Sequence, residues 1–219
     1  MNEMTQDLKK LAGHAGDPWR SDTPYYAANE QYMDAQWNMI ESFFDETAKE
    51  TEAQIDYKHT VDLATGHGRN CMKLKDHAEA LYLLDYQAGN IEICQKRYAD
   101  ETNFQFAVTN GYDFQPIPDD WATFVYCFDA MVHFDSDVVR AYLSDLSRVL
   151  QPCGLGFFHH SNYTEPGNWY DHPHSRNFMS AELFRHYAEK EGLEVVHQKI
   201  LDWGESKDLD CFSMVRHPE

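Results

Sequence analysis

Short apolar segments alternate with segments of helical pattern from residue 58 onward, and this alternation restricts the possible folds more than any other feature. The segments that we predict as strands are 58–64, 80–84, 104–108, 122–128 and 156–160. Residues 122–128 form a nearly continuous apolar run, which is typical of a strand that is covered on both faces. Because alternating strands and helices form parallel sheets flanked by helices, we predict an α/β fold.

The last two predicted strands, 193–201 and 209–216, are joined by a short turn, so they must be antiparallel. Apolar spacing predicts helices over 69–77, 88–99, 135–151 and 180–191, and another that begins near residue 29. Residues 1–28 show no clear periodicity but are rich in aromatic residues. The complete prediction is a seven-stranded, mostly parallel sheet with helices on both faces and a C-terminal antiparallel hairpin. We divide the chain into an N-terminal helical and aromatic segment, 1–50, which covers the functional site, and a main domain, 51–219.

Charge and cysteine content limit the partners and the compartment. Acidic residues outnumber Lys and Arg by 37 to 18, a formal net charge of −19 with neutral His. Nucleic acids and anionic membranes both attract cationic proteins, so we expect neither as a partner. No segment approaches the roughly 20 apolar residues of a membrane span, and the first ten residues lack an apolar signal core. The five cysteines are scattered without a C-x-x-C pair, which indicates free thiols in the cytoplasm.

The loop after the first predicted strand has the composition of a nucleotide-binding turn. It reads DLATGHGR over residues 62–69, and its small residues Ala64, Gly66 and Gly68 let a ligand approach the backbone closely. The free amides at the start of the next helix suit a carboxylate or a phosphate. Asp85 ends the second predicted strand, where a carboxylate can accept hydrogen bonds from both hydroxyls of a ribose. Both features lie at the carboxyl edge of the sheet, where ligands of such folds bind.

This loop is not a dinucleotide fingerprint, because Cys71 stands where G-x-G-x-x-G requires its third glycine. It also lacks the Gly-Lys-Ser/Thr of a phosphate-binding P-loop. Its acid-x-G/A-x-G-x-G pattern resembles class I S-adenosylmethionine (SAM)-dependent methyltransferases. The resemblance extends to RVLQPCG at 148–154, to FDAMVHF at 128–134 and to the closing hairpin, and so covers residues 57–216. It implies a Rossmann-like fold, SAM as the cofactor and a small-molecule methyl acceptor.

The resemblance also implies a role for each residue that matches the family pattern. The implied cofactor-binding residues are Asp62, Ala64, Gly66, Gly68, Asp85, Tyr86, Asn110, Gly111 and Phe128. The first four would contact the methionine portion of SAM, with Asp62 ordering the loop and helping to hold the amino group, and Phe128 would face the same portion. Asp85 would bind the ribose hydroxyls and Tyr86 would lie against adenine. At Asn110, which would contact adenine with its neighbour, the family often carries an Asp.

Three histidines are candidate bases for the chemical step. A hydroxyl acceptor must lose a proton, whereas a neutral amine only needs to be aimed. His133 follows the fourth predicted strand, and His159 and His160 end the fifth, so all three can reach the carboxyl edge. Because successive side chains of a strand alternate, we expect only one of His159 and His160 to face the ligand. These positions lead us to favour O-methylation, with Asp129 orienting a histidine or binding an ammonium group.

We predict no metal site, because the His- and Asp-containing segment 171–174 lacks the spacing of a ligand set and is typical of an exposed loop. The aromatic residues of the 161–178 loop are expected to cover one side of the pocket. Tyr25 and Tyr26 would close the other side, and Trp37 belongs to a helical apolar stripe that predicts core packing.

Three functions remain open at this point. The first is methyl transfer from SAM to an oxygen or nitrogen of a small polar metabolite; methylation of nucleic-acid bases is disfavoured because CFDA at 127–130 lacks the Asn/Asp-Pro-Pro-aromatic signature. The second is an NAD(P)-dependent oxidoreductase, which the missing third glycine and the missing Ser-Tyr-Lys set disfavour. The third is a non-catalytic SAM-binding regulator or partner subunit, which a sealed acceptor pocket beside an intact cofactor loop would support.

Overall fold

The structure, a computed structural model, describes residues 3–218 and the side chains from residue 5 onward. Residues 1 and 2 of the predicted N-terminal segment and residue 219 of the predicted main domain lie outside the described residues. The strands are β1 (His59–Leu63), β2 (Ala80–Asp85), β3 (Phe104–Val108), β4 (Ala122–Cys127), β5 (Leu150–Ser161), β6 (Glu194–Trp203) and β7 (Ser206–Arg216). The helices are α1 (Glu3–Gly16), α2 (Tyr25–Asn29), α3 (Met33–Thr51), α4 (Cys71–Leu74), α5 (Ala88–Arg97), α6 (Ser136–Val149) and α7 (Ala181–Lys190).

The seven strands form one sheet in the order β3-β2-β1-β4-β5-β7-β6. The first five strands run parallel, and β7 pairs antiparallel with both β5 and β6. The predicted α/β fold with its C-terminal hairpin is therefore confirmed. The chain order reverses between β1 and β4, which creates the crevice at the carboxyl edge where ligands of such sheets bind.

Two apolar layers cover the two faces of the sheet. Helices α1, α6 and α7 bury their apolar residues on one face, and α3, α4 and α5 bury theirs on the other. Helix α6 shows why these segments are helical: its buried residues, among them Val139, Leu143 and Leu146, recur at helical spacing, and the Asp135 side chain accepts a hydrogen bond from the amide of Asp137. No described helix combines the length and apolar character needed to cross a membrane.

Two of the predicted boundaries that differ from the structure have a clear physical cause. The predicted helix over 69–77 contains only α4, because Cys71 and Leu74 are the only residues of its stripe that reach the core before turns carry the chain to β2. Strand β5 begins at Leu150, earlier than predicted, because Leu150 pairs with Ala122 ahead of an irregular stretch around Cys153.

The expectation that residues 1–28 lack periodicity is wrong for α1, whose Leu8, Leu11, Ala12 and Ala15 recur at helical spacing. These residues form its inward face, and the two alanines are buried. Because α1 packs beside α6 and α3 packs on the opposite face, residues 17–32 cross the carboxyl edge of the sheet. We call residues 17–32 the N-terminal strap.

Candidate functional site

A cavity of about 110 Å³ lies at the carboxyl edge, beneath the N-terminal strap. Its floor comes from the segments that follow β1, β2 and β4, and its roof comes from α1 and the strap. Roof residues include Trp19, Tyr25 and Tyr26. The topology therefore brings together, around one cavity, residues that are far apart in the sequence.

The loop after β1 turns tightly to expose its backbone to this cavity. Ala64, Gly66 and Gly68 have φ values of +57°, +55° and +74°, a region that glycine tolerates best. A Cβ on Gly66 would lie 2.6 Å from the ring of Tyr26, so a side chain there would displace the strap. Gly68 lies instead against Tyr98, with a would-be Cβ at 2.7 Å from that ring, and does not line the cavity.

Asp85 connects the carboxyl ends of β1 and β2 to the start of α5. Its Oδ2 accepts the amide of Gly66 at 2.8 Å, and its Oδ1 accepts the amide of Gln87 at 2.7 Å and Nδ2 of Asn90 at 3.1 Å. Burial raises the pKa of Asp85 to about 6, although these hydrogen bonds favour the charged form. The carboxylate faces the cavity from a nearly dry position, with a relative exposure of 6%.

A second buried carboxylate lies close by in the same cavity wall. Asp62 Oδ2 accepts hydrogen bonds from Thr65 Oγ1 at 2.8 Å and from Cys71 Sγ at 3.0 Å, which fixes the start of the loop. Burial raises the pKa of Asp62 to about 6 as well, and the charge of Asp85 adds to that shift.

Tyr86 and Gly111 line one end of the cavity, next to α1. A Cβ on Gly111 would lie 2.8 Å from Cβ of Ala12 and 3.0 Å from the ring of Tyr86, so only glycine leaves this end open. Asn110 does not line the cavity; its Oδ1 accepts the amides of Tyr112 and Asp113, and it serves a local turn.

The opposite end of the cavity is built from the residues that follow β4. Phe128 and Asp129 both line it, and Asp129 adopts a left-handed φ of +56°. The Asp129 carboxylate accepts a hydrogen bond from the hydroxyl of Tyr25 and lies 3.9 Å from a nitrogen of Arg69 and 4.0 Å from one of Arg176. This end therefore combines one carboxylate with two guanidinium groups.

His133 is buried at the same end and lines the cavity. Its ring stacks on Trp19 with centroids 4.6 Å apart, and Nδ1 lies 2.8 Å from the carbonyl oxygen of Ser175. Because a carbonyl only accepts, Nδ1 carries the proton and Nε2 keeps its lone pair. Burial, together with the charge of Arg176, lowers the pKa of His133 to about 4, so the ring is neutral at pH 7.

His159 and His160 are fully buried and neither lines the cavity. They point to opposite faces of β5, as strand alternation predicts. His160 stacks on Phe184 of α7 at 4.2 Å and pairs with Ser213, whereas His159 lies beneath Asp129 and pairs with Asp210.

Sequence reasoning did not identify several residues of the site. Residues that line the cavity without having been predicted as ligands include Trp19, Thr65, Arg69, Asn70 and Thr109. Arg69 and Asn70 directly follow the glycine loop, and that adjacency was the only available signal. In the described chain, no cluster of three or more His, Cys, Asp or Glu side chains could hold a metal ion.

The raised pKa values of Asp62 and Asp85 predict a pH dependence of stability. The folded chain holds these protons up to about pH 6, whereas an unfolded chain releases them near pH 4. The stability linked to them therefore falls as the pH rises from 4 to 6 and stays low above that. Between pH 4.5 and 7, we expect the free energy of unfolding of the wild type, relative to Asp85→Asn, to fall by about 1–3 kcal/mol in urea titrations.

Exposed Asp100 supplies the matched control for this measurement. The difference between the wild type and Asp100→Asn should stay constant over the same pH range. A constant difference for Asp85→Asn as well would contradict the raised pKa.

The family comparison agrees with this geometry. A family model described as a methyltransferase domain matches residues 60–154, which run from β1 through the glycine loop to the start of β5. A search of curated protein sequences gives no significant match.

Solved structures with the same fold are distant in sequence. A putative methyltransferase from Haloferax volcanii, solved in complex with the Trm112 methyltransferase activator, is 19% identical with a TM-score of 0.60, over 87% of this chain and 97% of that one. Geranyl diphosphate C-methyltransferase from Streptomyces coelicolor A3(2), solved with Mg²⁺, geranyl diphosphate and S-adenosyl-L-homocysteine, is 14% identical with a TM-score of 0.63, over 99% of both chains. A SAM-dependent methyltransferase from Mesorhizobium loti is 14% identical with a TM-score of 0.61, over 75% of this chain and 94% of that one. Residues 60–154 of the chain thus match a methyltransferase domain, and the chain shares the fold of SAM-dependent methyltransferases.

Proposed function

We propose that this chain transfers a methyl group from SAM to an oxygen or nitrogen atom of a small polar metabolite. The observation that carries the proposal is that a single cavity beneath the strap joins the glycine loop and Asp85 at one end to Asp129 and His133 at the other. A cofactor held at the first end would therefore direct its reactive group toward polar side chains at the second.

The residues present at the first end fit SAM. The side-chain oxygen of Asn70 is buried without a hydrogen-bond partner, and Asn70 lines the cavity beside Asp62. A buried acceptor without a donor indicates a ligand that supplies one, and the ammonium group of the methionine portion would do so. Asp85 Oδ2 has accepted only the Gly66 amide, so it can accept a ribose hydroxyl as well.

When bound, SAM supplies an electrophilic methyl group on a sulfonium, which an acceptor lone pair takes by in-line displacement while the electron pair stays on sulfur. The protein then needs to aim the acceptor, exclude water and receive the acceptor's proton. The N-terminal strap and α1 cover the cavity from above, so we assign the covering role to this part of the predicted segment 1–50, since α3 packs on the other face of the sheet.

His133 is our candidate for the proton acceptor, in preference to His159 and His160. Its Nδ1–H is held by Ser175, so the free lone pair on Nε2 is available to an O–H or N–H of the acceptor. The stacked Trp19 and the neighbouring Trp169, at 5.7 Å, fix the ring plane. Both outcomes of the reaction, an O-methyl and an N-methyl product, are compatible with this role.

The size and charge of the site favour a small acceptor. The cavity of about 110 Å³ is covered from above by the strap, and the net charge of −19 disfavours nucleic acid and membrane surfaces. All five cysteines are free, and four of them are buried, which supports the proposal of a reducing, cytoplasmic compartment. A protein activator such as the one in the Haloferax volcanii complex is the alternative partner, and activity that requires a second protein would reveal it.

The first test is selective binding of the demethylated cofactor, S-adenosylhomocysteine (SAH). SAH should bind and raise the melting temperature, because a ligand of the folded state stabilises by mass action, whereas NAD should do neither. Asp85→Ala removes a charge-assisted acceptor, so the affinity for SAH should fall about 10- to 150-fold in isothermal calorimetry.

Asp100→Ala, an exposed acid on the loop before β3, should bind SAH as the wild type does. Stabilisation by NAD, or an unchanged SAH affinity in Asp85→Ala, would refute the cofactor assignment.

The second test concerns His133. His133→Ala should keep its SAH affinity but form SAH from SAM about 10²- to 10⁴-fold more slowly, with a metabolite extract as the source of acceptor. Because the His133 pKa is lowered to about 4, this ring loses its lone pair only as the pH falls toward 4. Between pH 5.5 and 8, the wild-type rate should therefore not change through the titration of His133.

His160→Ala provides the matched control, since His160 is equally buried but faces α7. Equal loss of turnover in both variants would remove His133 from the mechanism.

A further inference from the structure

We infer that His159 is a positioning residue: together with Asp210 and Arg176 it fixes Asp129, and Asp129 anchors the N-terminal strap over the cofactor cavity. The inference rests on the proposed function, because the strap controls ligand exchange only if SAM binds beneath it. It assigns to His159 a role other than that of a base.

The chain of contacts starts from a buried ion pair. Arg176 donates through Nε at 2.8 Å and through Nη2 at 2.7 Å to the two carboxylate oxygens of Asp210. The side chains are 2% and 0% exposed. Burial disfavours a charged Asp210, but hydrogen bonds from His159 and Arg176 and the charge of Arg176 lower its pKa to about 2. Asp210 is therefore a fixed, permanently charged acceptor under the cavity floor.

His159 transmits this fixed position to the backbone of Asp129. Its Nε2 lies 2.9 Å from Asp210 Oδ2, and its Nδ1 accepts the amide of Asp129 at 3.2 Å. A carboxylate only accepts and an amide only donates, so Nε2 carries the proton and Nδ1 the lone pair. Both nitrogens are thus committed, and His159 has no free lone pair for an acceptor's proton.

Asp129 needs such support because of its conformation. Its φ of +56° lies in the left-handed region, which Asp adopts more readily than most residues but at some cost, so contacts that hold this conformation stabilise the site. The imidazole of His159 holds the amide, while Arg69 and Arg176 attract the carboxylate from two sides. The result is a carboxylate aimed at the strap.

The strap is joined to the cavity floor by Asp129 and by cofactor-site residues. The hydroxyl of Tyr25 donates a hydrogen bond to the Asp129 carboxylate. Arg69 Nη1 donates to the carbonyl oxygen of Asn29 at 2.9 Å, and Asn90 Nδ2 donates to that of Trp19 at 3.1 Å. These bonds hold the strap over the cavity, so the placement of Asp129 should influence the dissociation rate of a ligand bound beneath it.

The energetics favour positioning over a purely stabilising role. A desolvated ion pair contributes little net stability compared with apolar residues of the same volume. His160, on the same strand, packs on Phe184 and pairs with Ser213 without any contact to the strap. The two adjacent histidines therefore allow packing and positioning to be separated.

The test is a double-mutant cycle on the dissociation rate of SAH, measured by surface plasmon resonance on the full-length chain. His159→Leu should raise this rate about 3- to 10-fold, the value of one neutral hydrogen bond. Tyr25→Phe removes a hydrogen bond to a charged group and should raise it about 10-fold or more. If His159 acts through Asp129 and Tyr25, the double variant should release SAH no faster than Tyr25→Phe alone.

Two further variants give the controls. His160→Leu changes an equally buried histidine on the other face and should leave the rate within about twofold of the wild type. His159→Asn retains a side-chain oxygen that can accept the Asp129 amide, so it should recover most of the wild-type rate. Rate increases that multiply in the double variant, or an equal increase in His160→Leu, would overturn the inference. Absence of SAH binding by the wild type would instead refute the proposed function.

The wild-type chain permits a test that needs no folded variant of His159. ¹⁵N spectra of the histidine rings should show a proton on Nε2 of His159 and a bare Nδ1 at pH 7. A proton on Nδ1 would overturn the inference, because that nitrogen could no longer accept the Asp129 amide.

Discussion

The buried carboxylate of Asp85 holds together the parts of the molecule on which the site depends. It fixes the glycine loop after β1 through the amide of Gly66, and it fixes the start of α5 through Gln87 and Asn90. Asn90 in turn donates to the hydroxyl of Tyr26 and to the backbone of Trp19 in the N-terminal strap. One carboxylate thus links two strand ends, one helix and the roof of the cavity.

Burying the charged carboxylates of Asp85 and Asp62 in the same cavity wall lowers the free energy of unfolding at neutral pH. Desolvation raises the pKa values of both groups for the same reason. The charge at the other end of the cavity is balanced differently. There Asp129 lies between Arg69 and Arg176, and Arg176 is itself paired with Asp210. Acidic groups thus dominate at the proposed cofactor end, while paired charges dominate at the proposed acceptor end. Such a distribution of charge would favour the cationic ammonium and sulfonium groups of SAM at the proposed cofactor end.

The fold could be predicted from the sequence because its signals are local. Strand β4 is apolar throughout its length, helix α6 has a regular buried stripe and a capping Asp135, and β6 and β7 are separated by a two-residue turn. Helix α1 was not predicted, although Leu8, Leu11, Ala12 and Ala15 recur at helical spacing, because alanine adds little to an apolar pattern. Its Ala12 nevertheless packs closely beside Gly111. Helices were therefore predicted where large apolar side chains form the stripe and missed where alanines form half of it.

Only part of the site could be predicted. The glycine loop and Asp85 follow strand ends, so their positions could be read from the sequence, and both line the cavity. The contact between Tyr25 and Asp129 joins residues 104 positions apart. No local sequence pattern predicts a contact over such a distance along the chain. His159 and His160 were indistinguishable in the sequence because their difference lies in what each strand face contacts. Asn110 matched a family position, but its side chain closes a turn.

Hydrogen exchange with and without SAH would test most directly whether the strap closes over a SAM site. Mass spectrometry of the full-length chain should report slower exchange in the presence of SAH in three segments, residues 17–32, 64–70 and 86–90. Slower exchange confined to the last two would mean that SAH binds but the strap does not close over it. No change in any of the three would contradict the assignment of the cavity to the cofactor.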